Sequence, residues 1–227
     1  VIPSSSGGLV TGALYFARVF AVNSIGYGPA AGATSPAAPM VVPGRPTSVS
    51  LTVASSTELQ VVFNPPQDDG GDAVSSYLVE WSESASLTTT NSLRLSYLDG
   101  GAPFYKTITG LTTGVFYYVR VSAQNSQGYG ISASSSPTHL NPMRVPAAPR
   151  SVALLATSDT MLTVSFEEPA DNGGDTVTSF FVEWDTSVNL NSLSTFPHKG
   201  SVTVLAEMDK LSVTLTTLTK GRKYYAR

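Results

Sequence analysis

The sequence predicts an all-β chain built as a string of similar β-sandwich domains. Three observations carry that expectation. One stretch recurs three times at intervals as long as a whole domain. The segments between turn signals alternate apolar and polar residues with period two, the mark of strands with one buried face. Composition leans the same way, since 19 Gly, 15 Pro and abundant Val, Thr, Ser and Tyr favour strands and turns over helices.

The recurring stretch is fullest in its middle copy, Leu111-Thr-Thr-Gly-Val-Phe-Tyr117-Tyr-Val-Arg-Val-Ser-Ala-Gln-Asn125. The first copy runs from Leu9 through Tyr15 to Asn23, and the third from Leu218 through Tyr224 to Arg227. Each has Leu, Gly three residues on, Tyr three later and Arg three later still. Arg18, Arg120 and Arg227 are 102 and 107 residues apart. Tyr117, Val119, Val121 and Ala123 alternate with Tyr118, Arg120, Ser122 and Gln124, which predicts a strand.

This motif, followed by Gly-Tyr-Gly, resembles the E–F corner and F strand of a fibronectin type III domain. The resemblance covers the whole chain, because corner, B–C loop and linker recur in phase. It implies tandem seven-stranded, immunoglobulin-like sandwiches. It also implies that Tyr15, Tyr117 and Tyr224, each with its Leu9, Leu111 or Leu218, form a structural corner. The Tyr hydroxyl then bonds back to the chain just upstream.

In chain order, residues 1–42 are expected to be the C-terminal part of one domain, with strand F and its entry corner from Leu9 to Asn23 and strand G after Gly26-Tyr-Gly28. Pro39-Met-Val-Val-Pro43-Gly-Arg-Pro46 is a proline-dense linker, and Pro142-Met-Arg-Val-Pro146-Ala-Ala-Pro149 repeats it 103 residues later. Such segments favour extended, semi-stiff backbone. Residues 43–142 form a complete domain. Strand A covers about Thr47–Val53, B is Leu59–Phe63 and C is Tyr77–Trp81. A variable strand lies near Leu93–Tyr97, E near Tyr105–Thr109, and then come F and G. Short strands between turn signals suit a sandwich. Residues 143–227 repeat this with Leu162, Val164 and Phe166 in B and Phe180, Val182 and Trp184 in C, and stop within strand F. Four more residues lie between Trp184 and Arg227 than between Trp81 and Arg120, which places an insertion between C and F. With sandwiches cut at both ends, the chain is expected to be a window on a longer array.

The family usually places a core Trp on strand B. Here Phe63 and Phe166 stand there and Trp81 and Trp184 stand on C, so these four residues are the predicted core.

Several function classes are disfavoured. Net charge is −3 with 13% charged residues, which offers no basic footprint for nucleic acid or anionic membrane. No apolar run is long enough for a membrane helix. There is no Cys and hence no disulfide or thiolate site, and no Asn-x-Ser/Thr sequon occurs. His139 and His198 fall at non-equivalent positions outside any catalytic motif and are expected to be solvated loop residues. Asp68, Asp69 and Asp72, with Asp171 and Asp175, flank Gly-Gly pairs. They read as turn formers rather than a calcium site, because the Asp-x-Asp-x-Asp-Gly spacing is missing. No Arg-Gly-Asp occurs. No cofactor or metal is expected.

Outward positions on strands C and F repeat apolar residues: Phe16, Phe20 and Val22, then Leu78 and Tyr118, then Phe181 and Tyr225. They are candidates for a lateral interface, although cross-strand pairing within the sheet explains them too. The expected function is a non-enzymatic segment of a long tandem array. It would be the shaft of an extracellular or cell-surface fibre, such as a hair-like flagellar appendage, whose partners are copies of itself or other fibre subunits. The alternatives are a cell-surface adhesion or receptor stalk binding protein or glycan through B–C and F–G loops, and an intracellular scaffold.

Overall fold

The computed structural model describes residues 8–96, 101–207 and 210–227. The described residues are all-β, and they form two compact units, Val1–Pro142 and Met143–Arg227. The first unit holds β1 (Arg18–Val22), β2 (Tyr27–Gly32), β3 (Thr47–Ser55), β4 (Glu58–Asn64), β5 (Ser76–Ser82), β6 (Asn91–Ser96), β7 (Phe104–Ile108), β8 (Tyr117–Asn125), β9 (Gly128–Tyr129) and β10 (Ala133–Leu140). The second holds β11 (Arg150–Ala156), β12 (Leu162–Glu167), β13 (Ser179–Asp185), β14 (Lys199–Leu205), β15 (Ser212–Leu215) and β16 (Tyr225–Ala226).

In the first unit, β1 and β2 form an antiparallel ribbon. The rest is a two-layer sandwich. One layer runs β6-β5-β8-β10 and the other β3-β4-β7, and a parallel contact between β10 and β3 at Ser136 and Ser50 closes the seam. Alternation sets the core. Leu59, Val61 and Phe63 of β4, Tyr77 and Val79 of β5, and Tyr117, Val119, Val121 and Ala123 of β8 are all buried. At its centre the rings of Phe63, Tyr77 and Phe104 lie 5.0–5.7 Å apart. Trp81 departs from expectation. It is half-buried and packs on the margin of this cluster, because Tyr77, four residues earlier on the same inward face, already fills the middle.

The second unit pairs β11-β12-β15 in one layer and β14-β13-β16 in the other. Phe166, Phe180, Val182 and Trp184 are buried. The extra residues fall at one place. Trp184 faces Gly200, sixteen residues on, whereas Trp81 faces Asn91, ten residues on. The loop after β13 is therefore six residues longer, and two are removed before β15. Both loops begin alike, with Leu87 and Leu190 at positive φ.

The strands depart from expectation mainly at their ends. In the first F segment, Gly12 turns the entry corner at φ +77°, Tyr15 makes an isolated bridge to Ala37, and the regular strand begins at Arg18. Tyr97, at the end of the expected variable strand, lies outside the described residues.

Candidate functional sites: the linker clamp and the outer sheet face

The corner tyrosines act on their upstream backbone in all three copies. Tyr15, Tyr117 and Tyr224 each accept, at the hydroxyl, the N–H of the residue five positions earlier: Val10 at 2.7 Å, Thr112 at 3.1 Å and Thr219 at 3.0 Å. Leu111 and Leu218 are buried beside them, while Leu9 is 54% exposed. Two of the corner glycines also hold a carbonyl: Gly12 N–H donates to Pro39 O and Gly114 N–H to Pro142 O, both at 2.9 Å.

The linker then docks on the B–C loop that follows it. Val41 N–H donates to Gly70 O at 2.9 Å and Gly44 N–H to Asp68 O at 2.8 Å. In the second unit, at positions exactly one repeat later, Arg144 N–H donates to Gly173 O and Ala147 N–H to Asp171 O, at 2.8 and 2.9 Å. Glycine is required at the contact. Gly70 and Gly173 lie at φ +77° and +76°, and a Cβ on either would sit 2.1 Å from the linker carbonyl of Val41 or Arg144. A Cβ on Gly130 would likewise sit 1.9 Å from Pro43 O, so the F–G loop closes the other side of the linker.

Asn125 ties the three segments together. It is 2% exposed, and its Nδ2 donates to Val41 O at 2.7 Å and Asp69 O at 2.8 Å, while its Oδ1 accepts Gln127 N–H. Within the first unit, the backbone anchors at Pro39 and Val41 are two residues apart, and the next is at Gly44. Two residues span at most about 7 Å, so this joint has no slack. The corner loop and the B–C loop also meet, since a Cβ on Gly71 would lie 2.5 Å from Gly12 N.

The acidic loops serve this clamp. Asp68 and Asp69 accept the N–H of Gly70 and Gly71, and Asp171 and Asn172 those of Gly173 and Gly174, each two residues on. Asp72 is held below the usual carboxylate range by Ser126, through its side chain first and then its N–H, which lies 2.8 Å from Oδ2. The Gly173 N–H and then the Arg144 guanidinium do the same for Asp171. Asp175 accepts Thr176 N–H.

On the outer face, the predicted residues divide. Phe16 is 77%, Phe181 63%, and Phe20 and Tyr225 each 38% exposed, whereas Leu78 and Tyr118 are half-buried. Phe20 meets Tyr27 edge-on and carries Arg18 over its face. The stripe is interrupted by ion pairs that composition alone did not suggest. Arg120 grips Glu80 at 2.8 and 3.0 Å across β5 and β8, and Arg227 grips Glu183 at 2.8 Å. The Arg120 hydrogen bond outweighs burial and holds the Glu80 carboxyl below its ordinary value. The signal was present in the sequence: a Glu precedes each strand-C Trp, and an Arg stands three after each corner Tyr.

The two histidines each meet half of the expectation: His139 is exposed but stands on a strand, and His198 lies in a loop but is half-buried. His139 lies in β10, with its ring 4.9 Å from Phe116 and 5.2 Å from Tyr118. His198 is half-buried, and its Nδ1 is 3.3 Å from the Tyr224 hydroxyl.

A further buried acid organises the long loop of the second unit. Asp185 is 0% exposed and accepts the N–H of Ser187 and Ser192 at 3.0 Å each, with Lys199 Nζ at 3.8 Å. Desolvation is the largest influence and pushes its carboxyl up. The hydrogen bonds from Ser192, Ser187 and Thr186 together outweigh it and hold the group at about 2. Its counterpart Ser82 shows no charge, so nothing in the repeat pattern announced it.

Among known proteins, the sequence pattern described as "Fibronectin type III domain" matches residues 44–140. A human protein, "Ankyrin repeat and fibronectin type-III domain-containing protein 1", is 38% identical over 44% of this chain and 9% of its own length. Cardiac-type myosin-binding protein C of Gallus gallus is 31% identical over 53% of this chain and 9% of its own. Neural cell adhesion molecule 1-A of Xenopus laevis is 28% identical over 63% and 13%. The chain thus spans a small fraction of the length of each relative.

Proposed function

We propose, from the premise that this chain belongs to the fibronectin type III domain family through residues 44–140, that it is a non-enzymatic, protein-interacting segment of a tandem array. The array is the shaft of an extracellular or cell-surface fibre, in which each linker is held against the sandwich that follows it. The clamp carries this reading. A tether would leave its linker solvated, whereas here backbone hydrogen bonds, an enclosed Asn125 and sterically required glycines hold it. Phe16, Phe20, Phe181 and Tyr225, with Leu78 and Tyr118, are its lateral contact face, and the partner is another copy or fibre subunit. The three-domain division at about residues 42 and 142 follows the two linkers. A second reading, a cell-surface adhesion stalk, is favoured by the likeness to a neural cell adhesion molecule.

Two measurements test the proposal. Backbone ¹⁵N relaxation should give the ribbon β1–β2 and the sandwich that follows it one rotational correlation time. Independent tumbling would remove the stiff-joint argument. Electron microscopy of the native protein should show ordered fibres with laterally packed domains, thinned or lost in Phe16→Ser with Phe181→Ser. Single strings of beads would leave the stalk reading standing and sink the shaft.

A further inference from the structure

Strand β14 begins the sheet order β14-β13-β16, and its long outer edge is unpaired among the described residues. That edge belongs to the repeat itself. In the first unit β6 stands at the same end of the layer β6-β5-β8-β10, beside a full set of partner strands. Hydrogen-bond parity tells which groups line the edge of β14. Ala206 N–H points inward and donates to Thr178 O at 3.1 Å, whereas Lys199 N–H turns away from β13 and donates to Thr195 O at 3.3 Å. Backbone direction alternates along a strand. Gly200, Val202 and Val204 therefore bond β13, and the N–H and C=O groups of Ser201, Thr203 and Leu205 face outward.

The two units guard this edge differently. In the first, Arg94 stands opposite Leu78 in the middle of β6; it is exposed, and its Nε donates to Ser76 Oγ at 3.2 Å. A charge in mid-edge opposes pairing with another chain. In the second, the place opposite Phe181, one repeat of 103 residues after Leu78, is taken by Thr203. From Gly200 to Leu205 the strand carries neither charge nor proline. On its outer face Leu205 and the neighbouring Phe181 are 60% and 63% exposed. The one cation of β14, Lys199, is folded back, with Nζ on Ser192 O at 3.0 Å and 3.8 Å from Asp185.

We propose that β14 is a self-association edge, whose partner is β14 of a second copy of this chain laid antiparallel across a two-fold axis at Thr203. The strand itself argues for that occupant. About this axis Ser201 faces Leu205 of the second copy, Val202 faces Val204, and Thr203 faces its own counterpart. Each facing pair among Ser201, Thr203 and Leu205 exchanges two main-chain hydrogen bonds, all from groups that already point outward. The β-branched Val202 and Val204 meet on the inner face, where such cross-strand pairs are favourable. Just beyond the paired stretch, Lys199 comes opposite the exposed Glu207 of the second copy, with opposite charge. An axis at Val202 would instead set Lys199 against Leu205 and call on the Lys199 N–H that Thr195 O already holds. The contact is isologous, and main-chain bonds supply its affinity as in other strand additions. The proposal rests on the edge of the sheet, whereas the fibre reading rests on its outer face, so either can fail alone.

The test is amide hydrogen exchange by NMR on the ¹⁵N-labelled full chain at rising concentration, with sedimentation velocity alongside. Protection should grow with concentration at Ser201, Thr203 and Leu205, while Val202 and Val204 stay protected throughout by β13. Thr203→Arg gives β14 the mid-edge charge that Arg94 gives β6. It should weaken the dimer at least tenfold and leave exchange at Val202 and Val204 as it was. A single monomeric species up to millimolar concentration would overturn the proposal. So would self-association that persists in Thr203→Arg and leaves the three outward amides unprotected, since another surface would then be the contact. Fibres that form while those amides exchange freely would also sink it and leave the outer-face reading standing. Dimers with the alternating protection but no fibres would support it and sink the shaft instead.

Discussion

Replacing Asn125 with Ala should loosen the clamp from its centre. The side chain is 2% exposed and makes three hydrogen bonds, two as donor to Val41 O and Asp69 O and one as acceptor from Gln127 N–H. A typical net hydrogen bond is worth about 1 kcal/mol, and a buried group left unpaired costs about 1–3 kcal/mol. Water can reach the two carbonyls once the linker shifts, since Val41 is itself half exposed. That recovery limits the loss to about 2–4 kcal/mol in the first unit. Asn125→Asp should be at least as damaging at neutral pH, because a carboxylate would face two carbonyl oxygens. It should recover in part in acid, where a protonated carboxyl regains one donor. The assay is hydrogen exchange followed by mass spectrometry on the full chain, alongside urea unfolding. Protection should be lost at the Val41 and Gly44 amides, and the first unit's transition should move to lower urea while the second unit's stays put. Unchanged exchange at those two amides, with an unmoved midpoint, would refute the claim that Asn125 holds the linker.

Three further outcomes are expected. Gly200→Val places a Cβ 2.3 Å from the Trp184 ring, so the indole must leave its site; tryptophan emission should shift to the red, and an unshifted spectrum would contradict the packing. The folded Asp185 carboxyl at about 2 lies below an unfolded value near 3.9, so its stabilisation is complete above about pH 5 and disappears as pH falls toward 2. The acid-unfolding midpoint of the second unit should therefore lose its dependence on this group in Asp185→Asn, and identical pH profiles for the two proteins would remove Asp185 from the account. Tyr117→Phe removes the acceptor for Thr112 N–H and should cost on the order of 1 kcal/mol, read as a lower thermal midpoint; no change would argue that the corner bond adds nothing.

The architecture was legible because it is written in spacing. The Leu–Gly–Tyr–Arg motif gave corner, strand and repeat length together, and alternation gave the inward faces of β4, β5 and β8. What stayed hidden depends on contacts between distant segments. Trp81 and Tyr77 have the same strand parity, so no pattern could say which ring reaches the centre. Asn125 stood only as the last residue of the recurring stretch, and its role appears only when residues 41 and 69 lie beside it. The linker prolines suggested stiffness, but proline content cannot show that the stiffness comes from docking on the next B–C loop. Asp185 followed a Trp and preceded a long insertion. Its burial arises from how that insertion folds back, which no local signal encodes.

The two clamps suggest how such an array tolerates sequence change. The contacts shared between repeats are main-chain hydrogen bonds plus glycines that admit a carbonyl, and neither depends on the linker's side chains. Val41 and Arg144 occupy the same position with opposite chemistry, yet each N–H meets its glycine carbonyl at 2.8–2.9 Å. The side chain is free to add a local term: Arg144 pairs with Asp171, while Asp68 at the matching place is served by Gly70 N–H. That ion pair joins half-exposed groups, so solvent screens it and it weakens with salt, whereas the backbone clamp does not. A linker held this way keeps its seat on the B–C loop that follows it while its side chains remain available for change.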